Sequence, residues 1–215
     1  MFRIGILGSE NSHAMAFSKM FNGIDKNYEG EFDDMCVVGT FGTDDASNKA
    51  LIEQAGVQFI ADKPEDLLGH VDAVMVTARD GKYHAEYAHP FLEAGLPAFI
   101  DKPFTVGLDK ADELLTAARE SGALLCGGSS LKYLDEMNAL ARFRQSKTVV
   151  GGNVTAPINM VNPYGGFYFY AQHLVEMVCE IFGRFPKNST ASSAVMSSTW
   201  AMSLPLYLTS RVSRL

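Results

Sequence analysis

Short apolar runs alternate with helical patterns from the first residue onward, and that alternation constrains the chain more than any other feature. Parallel neighbours in a sheet need a crossover of a dozen or more residues, so strand, helix, strand in succession implies a parallel sheet wrapped by helices. Phe2 to Leu7 reads as a first strand, Ser12 to Asn22 as a helix with Ser12 as N-cap, and Cys36 to Phe41 as a second strand. The acidic stretch Gly23 to Asp34 between them reads as a solvated loop. Ala46 to Ala55 follows as a helix stopped by Gly56, then a strand Val57 to Ile60, a short helical turn Pro64 to Leu68, and a buried strand Val71 to Thr77. Tyr83 to Ala94 has helical spacing and a stop at Gly95, with Pro90 expected to kink or split it. Pro97 to Ile100 is the next strand. Leu108, Ala111, Leu114, Leu115 and Ala118 recur at helical spacing up to Gly122, and Ala123 to Cys126 closes the unit as a strand.

The fold class is therefore α/β, a doubly wound parallel sheet of at least five strands over residues 1–127. At 215 residues the chain exceeds one typical domain and falls short of two, so residues 128–215 are expected to form a second, incomplete α+β domain serving substrate or assembly. There, Leu134 to Arg144 reads as a helix, Thr148 to Thr155 as a strand, and Phe167 to Phe182 as an aromatic-rich helix ended by Gly183. The last 28 residues hold eight Ser and no Gly, Asp or Glu. They are expected to supply at most one or two strands.

Composition narrows the partners. A net charge of −7 and a pI near 5.2 leave no basic surface for a nucleic acid. No segment approaches the length of a membrane span, so the reading is a cytoplasmic protein with a small-molecule substrate. Cys36, Cys126 and Cys179 are odd in number and lie in apolar runs, which favours buried thiols over a disulfide or a metal site.

The turn after the first strand is where a dinucleotide site places G-x-G-x-x-G, so that bare backbone approaches a pyrophosphate at a helix N-terminus. Here it reads Gly8-Ser9-Glu10-Asn11-Ser12-His13. The first glycine is in place, Glu10 stands for the second and His13 for the third. A carboxylate facing a pyrophosphate repels it, so either Glu10 turns away or the dinucleotide binds weakly. After the second strand, Asp44 and Asp45 offer a carboxylate to the adenosine ribose with no Arg beside them for a 2′-phosphate, which favours NAD over NADP. The same two residues also suit helix N-caps.

The stretch Val71 to Pro103 is the most informative. A strand leads to Arg79-Asp80-Gly81-Lys82-Tyr83-His84, a helix follows, and the next strand ends in Asp101-Lys102-Pro103. This resembles the Gfo/Idh/MocA family of NAD(P)-dependent oxidoreductases, in which a His precedes a helix and the next strand ends in Glu-Lys-Pro, here with Asp101 for Glu. The likeness runs over about residues 2 to 135. It implies a Rossmann-like domain in which Gly8, Ser9, Glu10, Asn11, Ser12, Asp44, Thr77, His84, Asp101 and Lys102 line the cofactor. Lys102 would then ease a proton from a substrate hydroxyl of a sugar, polyol or inositol-like molecule while hydride leaves for the nicotinamide. It also implies a cis Lys102–Pro103 bond and an acid/base His on a helix of the second domain.

That helix pattern in the family is Gly-Gly, then Asp, His and Asp at regular spacing. In this chain Gly165-Gly166 is followed by Phe169, His173 and Glu176, so the first carboxylate is missing. Lys132 and Tyr133 stand where the family has an Arg-containing pocket element, and His70 and His89 have no assigned role. The resemblance calls for a large open sheet after the His173 helix that normally forms the subunit interface, so a homo-oligomer is expected only if that sheet is intact. Without it, Phe167, Tyr168, Phe169 and Tyr170 would be partly uncovered. Two other classes remain beside a dehydrogenase: a Rossmann-like binding or regulatory protein that has lost catalysis, on the strength of Glu10 and Phe169, and a truncated fragment, on the strength of the tail.

Overall fold

The computed structural model describes residues 1–146, 151–152, 154–158, 161–183, 200–203 and 206–207. They fall into two compact units, Met1–Gly127 and Gly128–Leu215.

In the first unit, β1 (Phe2–Leu7), β2 (Met35–Phe41), β3 (Phe59–Ile60), β4 (Ala73–Val76), β5 (Ala98–Ile100) and β6 (Leu125–Gly127) form one sheet in the order β3-β2-β1-β4-β5-β6. Every pairing in it is parallel. The order reverses between β1 and β4, which opens a crevice beyond the carboxyl ends of the strands where α/β sheets place ligands. Strand periodicity explains the two cores. Ile4 and Ile6 face α1 (Ser12–Phe21) and α2 (Asp45–Ala55) with Ala14, Val37, Leu51 and Ala55. Leu7, Val74, Val76 and Ile100 pack with Phe91 and Leu92 of α3 (His84–Glu93) and Leu114 of α4 (Leu108–Ser121).

Some local expectations are corrected. The cap of α1 is Asn11, not Ser12: the Asn11 side chain accepts from the His13 amide. Pro90 lies inside α3 without splitting it, because Tyr87, Ala88, Phe91 and Leu92 are all buried against the sheet and that packing outweighs one missing amide. The strands expected over Val57 to Ile60 and Val71 to Thr77 are shorter than read, at Phe59–Ile60 and Ala73–Val76. The loop Gly23 to Asp34 contains a 3-10 turn at Lys26–Tyr28, and its Phe32 ring packs edge-on against Phe21 at 5.0 Å. Of the cysteines, Cys36 and Cys179 are half-buried and Cys126 is exposed, so the reading of buried thiols fails, while none of the three forms a disulfide.

The second unit contains α5 (Asp135–Ser146), β7 (Gly151–Gly152), β8 (Thr155–Ile158), α6 (Tyr168–Phe182), β9 (Trp200–Ser203) and β10 (Leu206–Tyr207). The strand expected over Thr148 to Thr155 gives way to β7 and β8, residues 147–150 and 153 lying outside the described residues. β7 pairs antiparallel with β10, and β8 with β9. Among the described residues of the tail, β9 and β10 are the strands; the rest of 188–215 lies outside them. In α6, Tyr168 and Tyr170 are exposed while Ala171, Leu174 and Val178 are buried.

Candidate active site

Three loops at the carboxyl ends of β1, β4 and β5 converge, and the first is the turn after β1. Gly8 adopts φ +98°, and a Cβ there would lie 2.2 Å from the Ala78 backbone nitrogen, so only glycine lets the turn sit on the loop after β4. The space is filled by protein. Thr77, completely buried, donates its hydroxyl to the Gly8 carbonyl at 2.9 Å. His84, also completely buried, meets the Ala78 carbonyl through Nε2 at 2.7 Å. A carbonyl only accepts, so Nε2 carries the proton. Burial pushes the His84 imidazole below its ordinary value, outweighing the neighbouring Asp101 carboxylate, so the ring is neutral. Both residues hold the loops from beneath.

Glu10 is bonded to the loop after β4. Its Oε1 accepts from the Arg79 amide at 3.0 Å, and the Arg79 guanidinium donates to the Glu10 carbonyl at 2.5 Å. The carboxylate is thus fastened to the loop after β4, one of the three loops that converge at these strand ends. Asn11 caps α1, Ser12 is exposed, and the Ser9 hydroxyl is buried against Gly42 without a hydrogen-bond partner among the described residues. Asp44 is the N-cap of α2: one carboxylate oxygen accepts from the Ser47 amide at 2.9 Å and from its hydroxyl at 2.5 Å. These bonds hold the exposed Asp44 carboxyl below its ordinary value.

Asp101, Lys102 and Pro103 follow β5, and the Lys102–Pro103 bond is cis. A Cβ at Gly81 would approach the Pro103 ring at 2.5 Å, which ties this segment to the loop after β4. Lys102 is 8% exposed. Burial pushes its ammonium below the ordinary value, Asp101 opposes that shift and Arg79 adds to it. Asp101 is 4% exposed and meets His13 Nδ1 through Oδ2 at 2.6 Å. That pair was invisible in the sequence. His13 stood out there only as the residue in place of a glycine, and its partner lies 88 positions away.

In the second unit, His173 Nδ1 lies 2.5 Å from the Ser129 hydroxyl, and Ser129 is 1% exposed. Glu176 accepts from the Ser129 backbone amide at 3.0 Å and from the Gln172 side-chain Nε2, and pairs with Lys132 at 2.9 Å. Burial pushes Lys132 down, but Glu176 outweighs it and the net shift is upward. Glu176 is therefore a clamp between α6 and the 3-10 turn Ser130–Tyr133. Tyr133 is exposed at 72%. Phe169, where the family pattern has a carboxylate, packs on Tyr170 at 4.9 Å. Of the histidines without a role, His70 packs on Phe59 and His89 pairs with Glu93 at 3.4 Å. Among the described residues there is no cluster with the makings of a metal site, and no helix is long and apolar enough to cross a membrane.

The geometry agrees with what the chain is similar to. Residues 2–129 match the profile of an oxidoreductase family with an NAD-binding Rossmann fold. Over 112 residues, 52% of the chain, it is 31% identical to a protein of Amycolatopsis mediterranei (strain S699) named "Putative UDP-kanosamine synthase oxidoreductase subunit". Among solved structures it resembles myo-inositol 2-dehydrogenase from Lactobacillus plantarum, with a TM-score of 0.72 at 15% identity over 86% of this chain. It likewise resembles scyllo-inositol dehydrogenase from Lactobacillus casei, solved with NAD(H) and scyllo-inositol, with a TM-score of 0.70 at 15% identity over 85% of this chain. The match spans 31% of the curated relative and 57% and 56% of the two solved chains. With the family profile covering more than half of its length, and the Rossmann sheet and the Asp101-Lys102-Pro103 segment in their places, the chain belongs to the Gfo/Idh/MocA oxidoreductase family.

Proposed function

We propose that the chain is an NAD-dependent dehydrogenase acting on a hydroxylated carbon of a sugar, polyol or inositol-like substrate. The observation that carries this reading is Lys102, an ammonium almost wholly enclosed at the carboxyl end of β5 beside the loops after β1 and β4. Taking an ammonium out of water costs several kcal/mol, and protein interiors tolerate it chiefly where the charge is paired or used. The residues fit a dinucleotide: the glycine turn follows β1, and the Ser9 hydroxyl in that turn is buried and unpartnered among the described residues.

Gly8, Ser9, Glu10, Asn11 and Ser12 would hold the pyrophosphate side, and Asp44 the adenosine ribose, which favours NAD over NADP. Thr77 and His84 support that turn from below, and Asp101 and Lys102 stand toward the nicotinamide. A bound nicotinamide dinucleotide supplies the hydride acceptor. Lys102 orients the reacting hydroxyl and offsets charge that develops on its oxygen. His173, presented by the Ser129 hydroxyl, is a further acid/base group of the second unit, Gly128–Leu215, which we assign to substrate binding and to self-association where its sheet is complete. Three thiols without a disulfide suit a reducing cytoplasm. Glu10 and Phe169 remain the two grounds for a chain that has lost catalysis.

The test is a titration with NAD⁺ followed by turnover assays on myo-inositol, scyllo-inositol and UDP-glucose. Lys102→Met is expected to abolish turnover and leave the NAD⁺ dissociation constant within about threefold, since the ammonium acts on substrate. Turnover retained in Lys102→Met would exclude the lysine from the reaction.

A further inference from the structure

Oxidation of an alcohol needs a proton acceptor as well as a cation, and Lys102 in its ammonium form can only donate. His173 has its Nδ1 against the neutral hydroxyl of Ser129. His13 differs: its Nδ1 meets a buried carboxylate at 2.6 Å, and its side chain keeps 40% of its surface open to solvent. An ionised carboxylate has no proton to give, so the hydrogen of this bond belongs to Nδ1 and the lone pair of a neutral ring resides on Nε2. A carboxylate at hydrogen-bond distance also compensates the imidazolium that forms when Nε2 takes a proton, which a hydroxyl does not.

The dyad is held on both sides. His13 is in the first turn of α1 behind the Asn11 cap, and its ring lies 5.9 Å from Phe17, which in turn packs edge-on against Phe99 of β5 at 6.0 Å. Asp101 directly follows β5 and precedes Lys102. The aromatic pair fixes the spacing of α1 over β5, and with it the reach from imidazole to carboxylate.

We propose that His13 and Asp101 form a proton-transfer dyad at the same strand ends as Lys102, in which Asp101 accepts from Nδ1 and Nε2 takes the proton of a substrate alcohol. This rests on the reading of the chain as a dehydrogenase of hydroxylated carbons. In the step, the substrate O–H bond breaks, an N–H bond forms at Nε2, and the electron pair stays on the substrate oxygen. The imidazolium, open to solvent, returns the proton to water.

Two measurements test it. Two-bond proton–nitrogen correlation spectra of the intact protein, recorded with the imidazoles neutral, are expected to show the His13 proton on Nδ1 in the wild type and on Nε2 in Asp101→Asn. In turnover with NAD⁺ and the responsive polyol, His13→Gln is expected to lower kcat by ~100-fold or more while the NAD⁺ dissociation constant stays within about threefold. An Nε2–H ring in the wild type overturns the dyad without any variant being made. So does His13→Gln turning over at the wild-type rate while Lys102→Met is inert, an outcome that keeps the dehydrogenase reading. A wild type inert on every hydroxylated compound overturns that reading, and with it the catalytic role of the dyad, even where the Nδ1–H ring is observed.

Discussion

The imidazole of His84 is completely enclosed, and its surroundings push its proton affinity below the ordinary 6.5. Above that value the ring is neutral in folded and unfolded chains alike, so its contribution to stability is fully present. As pH falls below 6.5, the unfolded chain takes up a proton that the folded one refuses, and stability is lost with a slope of up to ~1.4 kcal/mol per pH unit. Asp72, held down to about 2 by its hydrogen bonds and charge pairing with Arg3, adds its own loss only below its ordinary 3.8. A Tm series between about pH 5 and 6.5 therefore separates the two, and His84→Asn is expected to flatten it. Legibility at this scale follows distance along the chain. Lys102 stood out because strand, Asp, Lys and Pro are contiguous and together carry the resemblance to the Gfo/Idh/MocA family. The pairing of His13 with Asp101 and the anchoring of Glu10 by Arg79 join residues 88 and 69 positions apart, and the sequence holds no local mark of either. Nothing beside Glu10 in the sequence marks the Arg79 amide that donates to its carboxylate.

Helices and their stops were legible because their chemistry is local. Gly56 and Gly122 take left-handed conformations at φ +69° and +75° to end α2 and α4, a geometry that glycine adopts without a Cβ penalty. Strand ends were overread, since an apolar run continues beyond the point where a neighbouring strand ceases to pair with it. Pro90 does not split α3: its local cost is real, but burial of Phe91 and Leu92 exceeds it. Replacing it isolates that cost. Pro90→Ala restores an amide donor inside α3 and gains ~3 kcal/mol in helix preference, against ~1 kcal/mol lost because the unfolded chain becomes freer. The helix term wins, so Pro90→Ala is expected to stabilise the protein by about 2 kcal/mol in denaturant melts, and a lowered midpoint would show that the ring itself is needed for packing. In the second unit, the pairings of β7 with β10 and β8 with β9 were beyond sequence reading, because two- and four-residue strands carry too few alternations to reveal partners.

Among the described residues, the cluster around Phe91, Ile100 and Leu114 and the cluster around Ile6 and Leu51 draw only on the unit Met1–Gly127. A fragment of residues 1–127 is therefore expected to unfold in one cooperative transition and to bind NAD⁺. A molten fragment by near-ultraviolet circular dichroism would show that the second unit completes the first. The strand order has a further consequence, one of time. β1 is central, and its neighbour on one side is β4, with Ile4 opposite Ala73 and the Arg3 side chain bonded to Asp72, 69 residues away. Ribosomes add ~5–20 residues per second, so roughly 3–14 s pass between the synthesis of the first strand and that of the partner that encloses it. Throughout that interval α1, β2 and α2 are available to cover Ile4 and Ile6, but the β4-side edge of β1 is without its strand partner, and parallel pairing gives it no local hairpin to fold into. The period in which the nascent chain is open to aggregation or to capture by a chaperone is thus governed by the separation of β1 from β4 rather than by the length of the finished domain.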